Sequence, residues 1–224
     1  MARLRVAALI SGRGSNLQAL ISSCADPGFP SEIVLVISNR AEAPGLAHAA
    51  AAGIRSAIVP HPERDAFAAE TEALLRREGV ELVCLAGFMR LLGRGFVERW
   101  RDRMLNIHPS LLPAFPGLHA QRQALAAGVR FAGCTVHFVR PETDTGPILG
   151  QAVVPVLAGD DEASLSARIL AAEHRLYPLV LRLVAEGRVR VLDGKAAVAG
   201  AKPPEGWLLN PCGSFPQALV STGG

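Results

Sequence analysis

Leu4-Arg-Val-Ala-Ala-Leu-Ile-Ser-Gly-Arg-Gly-Ser-Asn16 carries an apolar run into a turn with two glycines, after which Leu17, Leu20 and Ile21 recur at helical spacing. The uniform apolar run predicts a buried strand, and the change of period predicts a helix. Glycines let the backbone approach an anion. The free N–H groups at a helix start, with the positive end of its dipole, suit a phosphate. Gly14, Ser15 and Asn16 are the candidate ligands. The dinucleotide fingerprint needs a glycine where this chain has Leu17, and an acid where Glu32 to Ser38 gives way to Asn39 and Arg40. The Walker lysine is absent as well, so a monophosphate fits better than a dinucleotide or triphosphate. A tight turn with no ligand is the alternative.

Outward from this unit the pattern repeats. Pro44 to Ala52 reads as a short helix, Arg55 to Val59 as a strand, Glu63 to Glu78 as a helix ended by Gly79, and Glu81 to Ala86 as a buried strand. Repeated β-α units predict an α/β fold: a doubly wound, mostly parallel, Rossmann-like sheet with its crevice above the strand ends. Gln121 to Ala127 is a short helix. Phe131 to Val139 and Ile148 to Val156, around the loop Pro141–Pro147, predict an antiparallel pair at the sheet edge. Asp160 or Asp161 caps a long helix in which Leu165, Ile169, Ala172, Leu176, Leu179 and Leu183 form the apolar stripe. Pro178 is expected to kink it, and Glu173 and His174 fall off the stripe. Residues 1–192 read as one domain. Residues 193–224, rich in Gly, Pro, Ala and Ser, read as an irregular tail anchored by Trp207 and Phe215.

Met104-Leu-Asn-Ile-His-Pro-Ser-Leu-Leu-Pro113 concentrates polar groups at a strand end. In an extended chain Asn106 and His108 share a face while Leu105 and Ile107 point into the core, and Pro109 ends the strand. Alone, such a pair is more often a loop cap beside a satisfied histidine. On the first strand of the edge pair, Thr135 and His137 share a face, and Asp144 lies in the following loop, where an Asp is usually a turn residue. Arg64 and Arg90 would lie near the crevice rim and together suit an acidic substrate tail.

A net charge of +3 spread along the chain, with no run of Lys and Arg, gives no sign of a nucleic-acid groove. Cys24, Cys84, Cys134 and Cys212 form no Cys-x-x-Cys, as in a reducing compartment. The first apolar run is too short for a signal peptide or membrane span, so a cytoplasmic location is expected, with no membrane partner.

Taken together, Ser11–Asn16, Ala86–Arg90, Leu105–Pro113, Val136–Val139 and Asp144–Pro147 closely resemble the phosphoribosylglycinamide formyltransferases, the glycinamide ribonucleotide transformylases of purine synthesis. The resemblance spans roughly Val6 to Val191. It implies transfer of a formyl group from 10-formyltetrahydrofolate to the amine of glycinamide ribonucleotide, without a metal. Asn106, His108 and Asp144 would carry the chemistry, with His137 a secondary candidate. Gly14, Ser15 and Asn16 would hold the substrate phosphate and Glu173 its ribose. Arg64, Met89, Arg90, Leu91, Leu92 and Asp144 would meet the folate. The family resemblance leaves a homodimer open. The loop reads Asp-Thr-Gly where the family pattern is Asp-Gly-Gly, which removes no functional group but bears on loop motion.

That chemistry agrees with the residues. Amine attack on a formyl carbonyl turns its oxygen negative, and an Asn amide with a protonated His are suitable donors. Asp144 would favour the imidazolium and could relay the amine's proton through water. Two rivals reuse the same residues. Formyltetrahydrofolate deformylase usually has a regulatory domain ahead of the strand where this chain begins, and methionyl-tRNA formyltransferase has an RNA-binding domain that a short tail would not supply. A non-catalytic nucleotide-binding module is the alternative from another class.

Overall fold

The structure is a computed structural model describing residues 2–201, 206 and 208–210; Trp207 and Phe215 lie outside the described residues. Strands β1 (Leu4–Ile10), β2 (Ser31–Ser38), β3 (Ser56–Ile58), β4 (Leu82–Leu85), β5 (Met104–His108), β6 (Phe131–Phe138) and β7 (Ile148–Pro155) form one sheet in the order β3-β2-β1-β4-β5-β6-β7. The first five are parallel, and β6 and β7 run antiparallel, closing the edge as the sequence predicts.

Helices cover both faces because side chains alternate along each strand. From β1, Val6, Ala8 and Ile10 join the core under α1 (Ser15–Cys24), α2 (Leu46–Ala51), α5 (Ala120–Ala126) and α6 (Glu162–Ala185). Ala7 and Leu9 face α3 (Arg64–Arg77) and α4 (Arg94–Arg99) on the other side. A register shift opposite Val6 and Ala7 lets β2 put Ile33 and Val36 on one face and Leu35 and Ile37 on the other. The strand order reverses between β2 and β4 around β1. In open α/β sheets, ligands bind at such a switch point. Tyr177 of α6, fully buried, donates its hydroxyl toward Leu85 O (3.1 Å) and Leu105 O (3.2 Å), fastening the helix where β4 and β5 lie side by side.

Three expectations change. The stripe on α6 drifts: Leu165, Ile169 and Leu176 are buried, but Leu179 is 53% exposed and Tyr177, Val180 and Leu181 take its place. A seven-residue repeat lags a 3.6-residue helix by about 20° per heptad, so the buried face moves off it. Helix α4 was not predicted, its six residues being bounded and interrupted by Gly93 and Gly95. The segment from Asp193 is not irregular at its start. There, β8 (Val189–Leu192) and β9 (Lys195–Val198) form an antiparallel hairpin. Asp193 (φ 49°) and Gly194 (φ 74°) both take the left-handed conformation of a two-residue Asp-Gly hairpin turn.

Helix α6 meets α1 through Glu173, 6% exposed, whose carboxylate accepts from Asn16 Nδ2 at 2.7 Å. Burial pushes the Glu173 carboxyl above its ordinary value, against the Asn16 bond, which lowers it. The folded state therefore holds this proton to higher pH than the unfolded chain. Stability from Glu173 is full below the ordinary carboxylate range and is lost as pH rises through the raised folded value. Glu173→Gln keeps the shape and an acceptor for Asn16. Its melting temperature relative to the parent is expected to rise between pH 4 and pH 7.5. A difference independent of pH would show that the carboxylate ionises in the folded protein at no cost.

Candidate active site

The antiparallel register of β5 and β6 sets Asn106 opposite His137 and His108 opposite Thr135. Directly opposed side chains on one face lie close enough to bond. His137, 2% exposed, has Nδ1 3.0 Å from Phe138 O, so Nδ1 carries the hydrogen. Burial lowers its pKa, opposed by the Phe138 bond and by Asp144. A neutral ring in this tautomer has its lone pair on Nε2, which accepts from Asn106 Nδ2 at 3.2 Å. The Asn106 amide is thereby oriented, with its second N–H left over.

His108, 6% exposed, donates Nε2–H to Phe115 O at 3.0 Å. Its Nδ1 lies 3.4 Å from Asp144 Oδ2. Each ring nitrogen thus faces an oxygen, an arrangement that a ring bearing hydrogen on both nitrogens satisfies. The same Asp144 Oδ2 accepts from Gly117 N (2.8 Å), and Oδ1 lies 3.7 Å from His137 Nε2.

Asp144 reaches this place because its loop is tightly folded. Its own φ is 55°, a region that Asp enters more readily than most side chains. Gly146 passes so close to Phe138 that a Cβ there would sit 1.7 Å from the carbonyl oxygen. Phe138 N donates to Pro147 O (3.0 Å), Thr145 Oγ1 to Glu142 O (3.1 Å), and Arg94 pairs with Glu142 (2.7 Å) across to α4.

The glycine turn lies at the switch point between β1 and β4, facing a cleft of about 520 Å³ lined by residues 11–16, Asn39, Arg40, Ala86, Gly87 and Met89. Gly14 precedes α1 with φ 73°, and a Cβ on it would meet Gly45 Cα at 2.6 Å. Gly45 N donates to Gly12 O (3.0 Å), bracing the turn. Ser11 Oγ donates to Asn39 Oδ1 (2.6 Å) and accepts from Met89 N (2.9 Å), tying the turn to both neighbouring strand ends. Asn16 Oδ1 is buried with no hydrogen-bond partner among the described residues.

The structure therefore gathers Asn106, His108, His137 and Asp144 into one cluster and joins Asn16 to Glu173. Met89 lines the glycine-turn cleft and is 73% exposed, Leu91 is 58% exposed, and Leu92 packs half-buried on the α3/α4 side. Arg64 opens α3, exposed. Arg90 lies over the Phe67 ring (4.8 Å) and donates to His61 O and, at 2.7 Å, to Pro62 O, so much of its guanidinium is engaged within the chain. Sequence reasoning missed Ser11, the Phe115 carbonyl and the Gly117 N–H. A backbone group leaves no mark in residue identity; Ser11 gives only the signal of a small polar residue beside glycine.

No helix among the described residues is long and apolar enough to cross a membrane, and no group of three or more His, Cys, Asp or Glu among them could hold a metal ion. The formyl transferase family model matches residues 4–181. The chain is 43% identical over 208 residues to the phosphoribosylglycinamide formyltransferase of Escherichia coli (strain K12), covering 91% of this chain and 98% of that protein. It is 54% identical over 193 residues to the trifunctional purine biosynthetic protein adenosine-3 of Drosophila pseudoobscura pseudoobscura, covering 84% of this chain and spanning only 14% of that protein's length. Among solved structures, glycinamide ribonucleotide transformylase 1 from Symbiobacterium toebii superposes with a TM-score of 0.85 at 50% identity, covering 88% of this chain and 94% of that one. A formyltetrahydrofolate deformylase from Pseudomonas syringae pv. tomato superposes at 0.83 with 29% identity, covering 88% and 66%. With most of its length matched by the family model and a near full-length relative at this identity, the chain belongs to the formyl transferase family.

Proposed function

We propose that this chain transfers a formyl group from 10-formyltetrahydrofolate to the primary amine of glycinamide ribonucleotide, a step of purine synthesis, in the cytoplasm. The observation that carries the reading is the Asp144 carboxylate 3.4 Å from His108 Nδ1, beside an Asn106 amide with one N–H free. A relative matched over 98% of its length bears the name of this activity, which supports it further.

The residues fit both substrates. The braced turn at Gly14, Ser15 and Asn16 suits a phosphate. The buried Oδ1 of Asn16 suits a ribose hydroxyl, since a buried oxygen without a partner costs about 1–3 kcal/mol until a donor arrives, and the Glu173 carboxylate lies beside it. Exposed Met89 and Leu91, with Leu92, offer apolar cover to a flat folate ring, and Arg64 suits a glutamate carboxylate, with the remaining donors of Arg90 beside it. These assignments invoke small molecules alone, with no metal and no nucleic acid.

Because the Phe115 carbonyl takes the Nε2–H, the His108 hydrogen that meets the reacting carbonyl is Nδ1–H, shared with the Asp144 carboxylate 3.4 Å away, which stabilises the charge on that ring. The free N–H of Asn106 meets the same developing oxyanion. Each such donor is typically worth about 10² to 10³ in rate. Asp144 then relays the amine's proton through water toward the departing nitrogen.

Incubation with 10-formyltetrahydrofolate, with and without glycinamide ribonucleotide, tests this reading. Folate release that requires the ribonucleotide supports the transferase; release without it indicates a hydrolase, and no release a binding module. Asp144→Asn is expected to lower kcat by about 10² or more with ribonucleotide binding nearly intact; parental turnover would reduce Asp144 to a turn residue. Gly14→Val, which drives a side chain against Gly45, is expected to weaken the ribonucleotide by about tenfold or more and leave folate binding within about twofold. Equal loss of both would mean the variant has misfolded.

A further inference from the structure

Thr135 faces His108 across the β5:β6 pair and is fully buried. Its hydroxyl donates to Ser110 O (2.7 Å) and accepts from Leu112 N (3.0 Å) and Gln151 Nε2 (3.0 Å). One donor and two acceptors exhaust what a hydroxyl offers. Gln151 is the partner of Thr135 in the β6:β7 register, and its Nε2 also donates to Leu112 O at 2.9 Å. Ser110 Oγ donates to Ala114 O (2.6 Å). The loop of residues 109–117 is therefore tied down at positions 110 and 112 by two side chains that reach it from the edge strands, and at 114 by Ser110 within the loop.

The far end of the same loop supplies both backbone contacts of the catalytic pair: Phe115 O on His108 Nε2 and Gly117 N on Asp144 Oδ2. Phe115 has φ 53°, a left-handed conformation that is unfavourable for a bulky side chain and persists only where the surroundings enforce it. The ties at 110, 112 and 114 enforce it, and the result is a carbonyl aimed at the imidazole.

We propose that Thr135 and Gln151 are positioning residues, which hold the 109–117 loop so that the Phe115 carbonyl and the Gly117 N–H fix His108 and Asp144 relative to each other. The inference rests on the formyl transfer assigned above. Neither residue is placed to touch a substrate; they act on the reaction through the loop.

The test compares Gln151→Met, Thr135→Val and Thr135→Ser with the parent. Misplacing a catalytic group by about 1 Å costs up to about 10² in rate, so Thr135→Val is expected to lose about 10²-fold in kcat and Gln151→Met about tenfold. Both KM values should stay within about twofold, the pattern of an interaction realised only in the transition state. Thr135→Ser, which keeps the hydroxyl, should recover to within about threefold. In the ligand-free proteins, the ¹⁵N-detected Nε2–H signal of His108 should shift or exchange faster in Gln151→Met and Thr135→Val and remain parental in Thr135→Ser. Parental kcat in folded variants, a loss confined to KM, or an unmoved imidazole signal overturns the proposal. If Thr135→Val fails to fold, Gln151→Met and Thr135→Ser decide. If the parent transfers no formyl group, the reaction assignment fails while the imidazole signal still judges the positioning role.

Discussion

Pairing β5 with β6 antiparallel, with Asn106 opposite His137 and His108 opposite Thr135, is the constraint on which the site depends. A strand's side-chain period is two, so a slip of one residue would turn Asn106 and His108 toward α6 and bring Leu105 and Ile107 out in their place. The slip is expensive. Leu105, Ile107, Cys134, Val136 and Phe138 are all buried on the α6 side, and about 1.5–3 kcal/mol accompanies burial of each large apolar side chain. Hydrophobic burial on one face thus fixes where polar groups stand on the other. The chemistry inherits its precision from residues that take no part in it.

Much of what surrounds His108 and Asp144 is main chain. A carbonyl faces one imidazole nitrogen and an amide N–H holds the carboxylate, and both come from a single proline-rich loop. Backbone dipoles are well suited to the purpose because they cannot change rotamer. The cost is that Phe115 and Asp144 occupy left-handed conformations, which the hydrogen-bond network beneath them must sustain. Dipoles fixed before the substrate arrives need no reorganisation at the moment of reaction, which is where electrostatic catalysis gains most.

The parallel sheet, the edge pair and the alternation that aims Asn106 and His108 are legible in the sequence because each follows from a periodicity of apolar residues. The meeting of His108 with Asp144, and of Asn16 with Glu173 across 157 positions, is not periodic. It depends on strand order and loop closure, and entered the reading through family resemblance. Two local misreadings have plain causes. The apolar stripe of α6 follows a seven-residue repeat that a straight helix does not keep, and the Asp193-Gly194 turn sits in a stretch whose Gly, Pro, Ala and Ser content resembles a coil. Phe115 and Gly117 were illegible in principle, since any residue carries the same C=O and all but proline the same N–H.

The contact between Gly14 and Gly45 has a consequence for how this scaffold changes over time. The glycine turn does not own its shape: its backbone rests on the entry to α2, a segment that contributes no group described in the cluster around His108. Diversity introduced at residues 41–46 would retune the first pocket while leaving the second untouched. Under the proposed function, affinity for the ribonucleotide and chemical rate would evolve as separate traits on one domain.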